Sequence, residues 1–131
     1  MTESEQMEII HRYLTNAQLL DGIKHVGHYS RHKSYAGAGK GWKEKIVPET
    51  IYGVRISLAA YIHDLLYSIW AGRSQRLRQE ADGKFLLAML DLIESHNFTW
   101  GTAWIRRRAA RYRAMTYYAA VREHGESSWN K

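Results

Sequence analysis

The chain has 131 residues, 45% of them hydrophobic, which is enough for one modest core in a single domain over 1–131. Its net charge of +6 favours anionic partners, such as phospholipid surfaces or nucleic acids. Cysteine is absent, which excludes disulfides and thiolate chemistry. The acidic segment Met1–Glu5 lacks the apolar stretch of a secretory signal, and no apolar run is long enough to form a transmembrane segment.

The first predicted element is an amphipathic helix over 4–20, where apolar residues recur at helical spacing. We expect it to stop at Asp21-Gly22, a pair typical of helix ends. Three histidines follow at positions i, i+3 and i+7, which on one helical face could bind a transition metal: His25, His28 and His32. Because basic residues surround them, a partly exposed basic segment is the alternative interpretation.

A glycine-containing loop is predicted over 34–47. Its alternating glycines, Gly37, Gly39 and Gly41, allow backbone groups to converge on a ligand. A phosphate-binding P-loop is not predicted, because Gly41 is followed by Trp42-Lys43 rather than by Lys and then Ser or Thr. The alternative is a flexible loop without a ligand.

The central predicted helix covers 51–71, with Pro48 before its start and Gly72 after its end. It is apolar on two faces, so we expect it to be mostly buried. His63 lies on an apolar face, whereas Asp64 lies on a more polar arc. Because these two titratable side chains point in different directions, one of them could transfer a proton while the other binds an ion.

A second helix is predicted over 77–94, with its core stripe at Ala81, Leu86, Met89, Leu90 and Ile93. The short connection at 72–76 predicts that this helix packs antiparallel to the first, because brief connections join antiparallel neighbours. His63 and Asp82 should then face each other. The alternative role for Asp82, near the helix start, is a favourable interaction with the helix dipole.

The last predicted helix runs from Thr102 to Glu123 and carries six arginines: Arg106, Arg107, Arg108, Arg111, Arg113 and Arg122. Its apolar side consists of Trp104, Ile105, Ala109, Tyr112, Met115 and Ala119. Such a helix suits an anionic membrane interface or the phosphates of a nucleic acid, and it could also be a solvated face. The predicted fold is therefore all-α, with two antiparallel core helices plus N- and C-terminal helices.

Three motifs occur in this order along the chain: Tyr35-x-Gly37-x-Gly39, His63-Asp64-x-x-Tyr67 and Ala81-Asp82-x-x-Phe85. In this order they resemble phospholipase A2, most closely the compact cysteine-free form found in parvovirus capsid proteins. The stretch from Ala59 to Trp129 is also similar to a family of small phage-encoded proteins of undefined activity. These resemblances imply a cytoplasmic or virion-associated protein.

The resemblance implies a calcium site. Asp64 would ligate the ion, and the backbone carbonyls of Tyr35, Gly37 and Gly39 would complete its shell. Calcium takes six to eight oxygen ligands and accepts backbone carbonyls readily.

The resemblance also implies three catalytic roles. His63 would be the general base that takes a proton from the water attacking the sn-2 ester. Asp82 would accept a hydrogen bond from the far nitrogen of His63 and so fix its tautomer. Tyr67 would hydrogen-bond to Asp82.

Two other hypotheses remain open. All-helical metal phosphohydrolases of the HD type use the same dipeptide, with His28 or His32, the pair His63-Asp64 and the distant Asp91 as candidate ligands. A catalytically inactive, phage-derived structural or assembly protein would keep the scaffold without the activity.

Overall fold

The computed structural model describes residues 1–33, 35, 50–98 and 102–130. These residues form six helices and one hairpin: α1 (Glu3–Tyr13), α2 (Asn16–Val26), β1 (Thr50–Ile51), β2 (Val54–Arg55), α3 (Ser57–Trp70), α4 (Gln75–Ser95), α5 (Ala103–His124) and α6 (Glu126–Trp129). The predicted all-α fold is confirmed. Among the described helices, none has the length and apolar character needed to cross a bilayer.

The prediction of one N-terminal helix over 4–20 is wrong, because the chain breaks at Leu14 and starts a new helix. Thr15 caps α2: its side chain accepts from the Gln18 amide at 3.1 Å, and the Gln18 side chain accepts from the Thr15 amide at 2.9 Å. This reciprocal pair satisfies two amides that would otherwise lack partners. The predicted stop at Asp21-Gly22 is also wrong, since α2 continues to Val26.

Gly22 is where α2 packs directly against α3. A Cβ atom at this position would lie 2.1 Å from Cγ of Leu65, a core residue of α3. Helix propensity alone favours alanine over glycine by about 1 kcal/mol. At this position steric overlap therefore opposes helix propensity. The overlap decides whether replacing Gly22 stabilises or destabilises the protein.

We expect Gly22→Ala to destabilise the protein by about 1–3 kcal/mol, because overpacking must displace Leu65. The matched control is Gly83→Ala in α4, where a Cβ would meet nothing within 4 Å. This control should gain up to about 1 kcal/mol from helix propensity. Urea unfolding of both variants measures the two effects, and equal stabilities would contradict the packing described here.

The central helix begins later than predicted, at Ser57, because residues 50–55 form a hairpin. Ile51 pairs with Val54, and both are buried. The turn residues Tyr52 and Gly53 have φ values of 50° and 84°, the positive values that a two-residue hairpin turn requires. Pro48 and the loop 34–47, apart from Tyr35, lie outside the described residues.

The predicted antiparallel pairing of the two core helices is confirmed. Gly72, at φ 76°, follows the end of α3, and the Ser74 hydroxyl accepts from the Leu77 amide at 3.2 Å to cap α4. The start of α3 then lies beside the end of α4, while His63 meets Asp82. The predicted core stripe of α4 is partly wrong, because Leu86 and Leu90 are half-buried. Five further positions of this helix are buried: Arg78, Asp82, Phe85, Ala88 and Leu92.

The last helix lies within one residue of its predicted bounds at each end, and the side of it that packs into the core is not the apolar side defined from the sequence. The buried residues of α5 are the small ones, Ala110, Ala114 and Val121. Four large side chains of the apolar side are exposed: Trp104, Ile105, Tyr112 and Met115. Small side chains at the contact allow α5 to approach α4 closely, and the large residues are left on the opposite side.

Candidate active site

The carboxylate of Asp82 is the centre of a buried polar cluster between α3, α4 and α5. Asp82 is 0% exposed, and its Oδ1 lies 2.8 Å from Nε2 of His63. The same oxygen accepts from the hydroxyl of Tyr67 at 2.7 Å. The structure therefore confirms the predicted contacts among these three side chains, while their catalytic roles stay a prediction.

Helical spacing explains why His63 and Tyr67 reach the same carboxylate. They are four residues apart on α3, so they lie one above the other on one face, and their ring centroids are 4.3 Å apart. Phe85, three residues after Asp82 on α4, packs against the His63 ring at 4.9 Å. The hydrogen bond to Asp82 and the two aromatic rings thus help to hold the imidazole in place.

Two arginines complete the cluster, and the sequence analysis missed both. Nη1 of Arg122 lies 2.7 Å from Oδ2 of Asp82, and Nε of Arg78 lies 3.9 Å from the same oxygen. Arg78 is four residues before Asp82 on α4, and this spacing was a signal that could have found it. Arg122 comes from another helix 40 residues away, and no local pattern separates it from the exposed arginines of α5.

Arg78 also joins α4 to the end of α5. Its Nη2 donates to the carbonyl of Arg122 at 2.6 Å and to that of Val121 at 3.3 Å. Carbonyls in the last turn of a helix lack partners within the helix, and a cation there also complements the helix dipole. Gly125 follows directly, and a Cβ at this residue would lie 2.8 Å from the Tyr67 hydroxyl. The end of α5 is therefore fitted closely to the cluster.

The electrostatics of the cluster keep Asp82 ionised. Burial alone raises the pKa of this carboxyl, but hydrogen bonds and charge from His63, together with bonds from Tyr67 and Arg122, outweigh burial and hold the pKa below its ordinary value. Burial and the nearby charge of Asp82 raise the pKa of Tyr67, so its phenol stays protonated and donates. In a neutral imidazole, Nε2 of His63 must then carry the proton that it shares with Asp82, and Nδ1 is the basic nitrogen.

The predicted calcium ligands are described only in part. Asp64 is half-buried on α3. The ring of Tyr35 packs against that of Tyr61 at 5.1 Å, one helical turn before Asp64. Gly37 and Gly39 lie outside the described residues. Carboxylate and backbone carbonyl oxygens are the hard ligands that calcium prefers, so Asp64 and Tyr35 fit that ion by their chemistry.

The three upstream histidines do not share a helical face, so that prediction is wrong. His25 lies in α2, which ends at Val26, and His28 and His32 follow beyond it. The carbonyl of His28 accepts from the Tyr35 hydroxyl at 3.2 Å.

The ligand set of a metal phosphohydrolase is not assembled in the described part of the chain. Asp91 accepts from Nη1 of Arg12 at 2.9 Å and from the hydroxyl of Tyr13. Across residues 1–33, 35, 50–98 and 102–130, no three His, Asp or Glu side chains are grouped as a metal site would require. The geometry therefore gives that hypothesis no support.

A surface cleft of about 490 Å³ lies away from the polar cluster. It is lined by the start of α3 and the end of α4, including Leu58, Leu92 and His96, and by the hairpin. His63 is not among its lining residues. The cleft and the buried cluster are therefore separate features of the molecule.

Comparisons of the chain with protein-family models, with curated proteins and with solved structures find no match. The cluster consists of one buried carboxylate, one imidazole, one phenol and two guanidinium groups.

Proposed function

We propose that the protein is a phospholipase A2-like enzyme that hydrolyses the sn-2 ester of phospholipids with His63 as general base. The observation that carries this proposal is the 2.8 Å contact between Nε2 of His63 and Oδ1 of Asp82, with the Tyr67 hydroxyl on the same oxygen at 2.7 Å. A histidine base needs a carboxylate that fixes its tautomer and orientation. Asp82 meets this need, and Tyr67 holds the carboxylate in place.

In the proposed reaction, Nδ1 of His63 takes a proton from water as the water oxygen bonds to the ester carbon. The tetrahedral intermediate then expels the sn-2 oxygen of the glycerol, which receives the proton from the imidazolium. The products are a fatty acid and a lysophospholipid. Asp82 stays ionised throughout, because its lowered pKa and its bonds from Tyr67 and Arg122 favour the anion, and it stabilises the imidazolium.

We propose that the carboxylate of Asp64 and the carbonyls of Tyr35, Gly37 and Gly39 hold a calcium ion. When bound, calcium polarises the ester carbonyl and stabilises the negative charge that develops on its oxygen. With one carboxylate among the ligands, the site should be weak, with a Kd of about 10⁻⁴–10⁻³ M. Asp64 directly follows His63 on α3, so the two side chains point to different faces of the helix. In this proposal, one face binds the ion and the other transfers the proton.

One observation favours a second candidate, a structural or assembly protein without activity. His63 and Asp82 are each 0% exposed, and the carboxylate of Asp82 on α4 binds both His63 of α3 and Arg122 of α5. A buried ionic cluster can serve conformational specificity alone. In that case the cluster would be retained for the fold, and water would not need to reach His63.

The test is release of fatty acid from mixed phospholipid micelles, measured with calcium and with a chelator. We expect calcium-dependent release from the wild-type protein. Asp64→Asn should remove both hydrolysis and the calcium affinity measured by titration calorimetry, while its circular dichroism stays unchanged. A folded wild-type protein that binds calcium but releases no fatty acid at any pH would refute the enzyme proposal and favour the structural candidate.

A further inference from the structure

Helix α5 is apolar on two opposite sides, and the described fold uses only one of them. The inner side, with Ala110, Ala114 and Val121 at 0% exposure, packs into the core. The outer side carries four large exposed residues: Trp104 (65%), Ile105 (49%), Tyr112 (73%) and Met115 (59%). Helical geometry places these residues on one broad face, here called the outer face of α5. Solvent exposure of four such residues on one helix is typical of a docking surface rather than of scattered surface residues.

The outer face of α5 also carries positive charge. Arg108 is exposed within the face, one turn from both Trp104 and Tyr112, and Arg106 is exposed to one side of it. The sequence from 103 to 122 contains no acidic residue. Arg111 is also exposed, and it forms an ion pair with Glu94 of α4 at 2.5 Å. The face therefore combines large apolar side chains with positive charge. Its partner must offer apolar groups and negative charge together.

We infer that the outer face of α5 docks on the surface of an anionic phospholipid membrane. Trp104 and Tyr112 have the amphipathic rings that favour the boundary between headgroups and acyl chains. Ile105 and Met115 supply aliphatic surface that can enter the acyl region, and the arginines lie at headgroup depth. The choice of a phospholipid rests in part on the proposed function, whereas the exposure and charge of the face do not depend on it.

Two other occupants fit the face less well. A second copy of the chain, docked face to face about a twofold axis, would bring two arginine-bearing surfaces together without an acidic complement. A nucleic acid would satisfy the arginines and could stack on Trp104 and Tyr112. A nucleic acid would, however, leave the aliphatic side chains of Ile105 and Met115 against a polar backbone. A lipid surface offers partners both to these side chains and to the arginines.

Cosedimentation with vesicles tests the inference. The wild-type protein should bind vesicles of phosphatidylcholine with 30% phosphatidylglycerol at least about tenfold more tightly than pure phosphatidylcholine, and added salt should weaken the binding. The double variant Trp104→Ser/Tyr112→Ser should lose at least about tenfold in affinity for the anionic vesicles. Leu20→Ser is the matched control, because Leu20 is equally exposed, at 67%, but lies on α2. This control should bind as the wild type does.

Three outcomes would overturn the inference. These are equal vesicle binding by the double variant and the wild type, salt-sensitive binding of DNA without affinity for vesicles, and a dimer in solution that the double variant dissociates.

A second assay tests the proposed function separately from membrane docking. It measures hydrolysis of a short-chain phospholipid below its micellar concentration, where no lipid surface is present. The double variant should retain that activity. A protein that binds vesicles through α5 but hydrolyses nothing would refute the proposed function and leave the docking surface standing.

Discussion

His63→Gln is expected to lower phospholipid hydrolysis by about 10²–10⁴-fold, which is the usual contribution of a general base. The glutamine amide can still donate a hydrogen bond toward Asp82, but it cannot take a proton from water. Calcium affinity should stay nearly unchanged, because the proposed ligand is the neighbouring Asp64 and not the imidazole. Initial rates on mixed micelles and calorimetric titration with calcium give the two readouts.

The same measurements on His63→Ala separate loss of the base from loss of structure. Alanine removes the hydrogen bond to Asp82 and leaves a cavity in a site that is 0% exposed, so it should also lower the unfolding temperature. Both variants should lose activity to a similar extent, although they differ in stability. Retention of wild-type rates by folded His63→Gln would show that His63 is not the base.

The core of the candidate site could be predicted because its determinants are local. Residues four apart on a helix share a face, which explains how His63 and Tyr67 meet. A connection of only four residues, 71–74, forces α3 and α4 to be antiparallel neighbours, so Asp82 comes opposite them. By contrast, Arg122 reaches the site from a different helix, and only the tertiary packing of α5 brings it there.

The hairpin was mistaken for part of a helix because the spacing of its apolar residues fits both structures over such a short stretch. Ile51 and Val54 are three residues apart, which fits one face of a helix, but the same spacing fits cross-strand partners in a two-residue hairpin. The turn, Tyr52-Gly53, lacks the Asn or Asp that usually marks such a hairpin.

The missed break in the N-terminal helix has a different origin. At Thr15 the capping signal Thr-x-x-Gln was present, and it would have divided this helix in two.

The orientation of α5 could not be inferred from hydrophobicity alone. Its large residues, led by Trp104 and Tyr112, form the more apolar stripe, but the core selects the stripe of small residues that contains Ala110 and Ala114. Which stripe is buried depends on the space that α4 leaves. The arginine network also contributes, because Arg78 and Asp82 on α4 fix the rotation of α5 through Arg122.

Asp82→Asn is expected to lower the free energy of unfolding by about 3–5 kcal/mol at pH 7, as when one partner of a buried ion pair is removed. The asparagine can still accept from Tyr67, but it leaves the buried guanidinium of Arg78 without its carboxylate. Hydrolysis should fall as well, because the tautomer of His63 is no longer fixed. Urea unfolding and micelle assays on the same preparations measure the two effects.

The pH dependence of the difference in stability identifies Asp82 as its source. The folded pKa of Asp82 is lowered, so its contribution is complete above the unfolded value of about 3.9 and is lost as the pH falls through the folded pKa. The gap between the wild type and Asp82→Asn should therefore be widest near neutral pH and shrink below about pH 4. Asp21→Asn, at an exposed position on α2, is the matched control and should change stability by less than about 0.5 kcal/mol. A gap that stays constant from pH 7 to pH 3 would show that the carboxylate charge does not stabilise the fold.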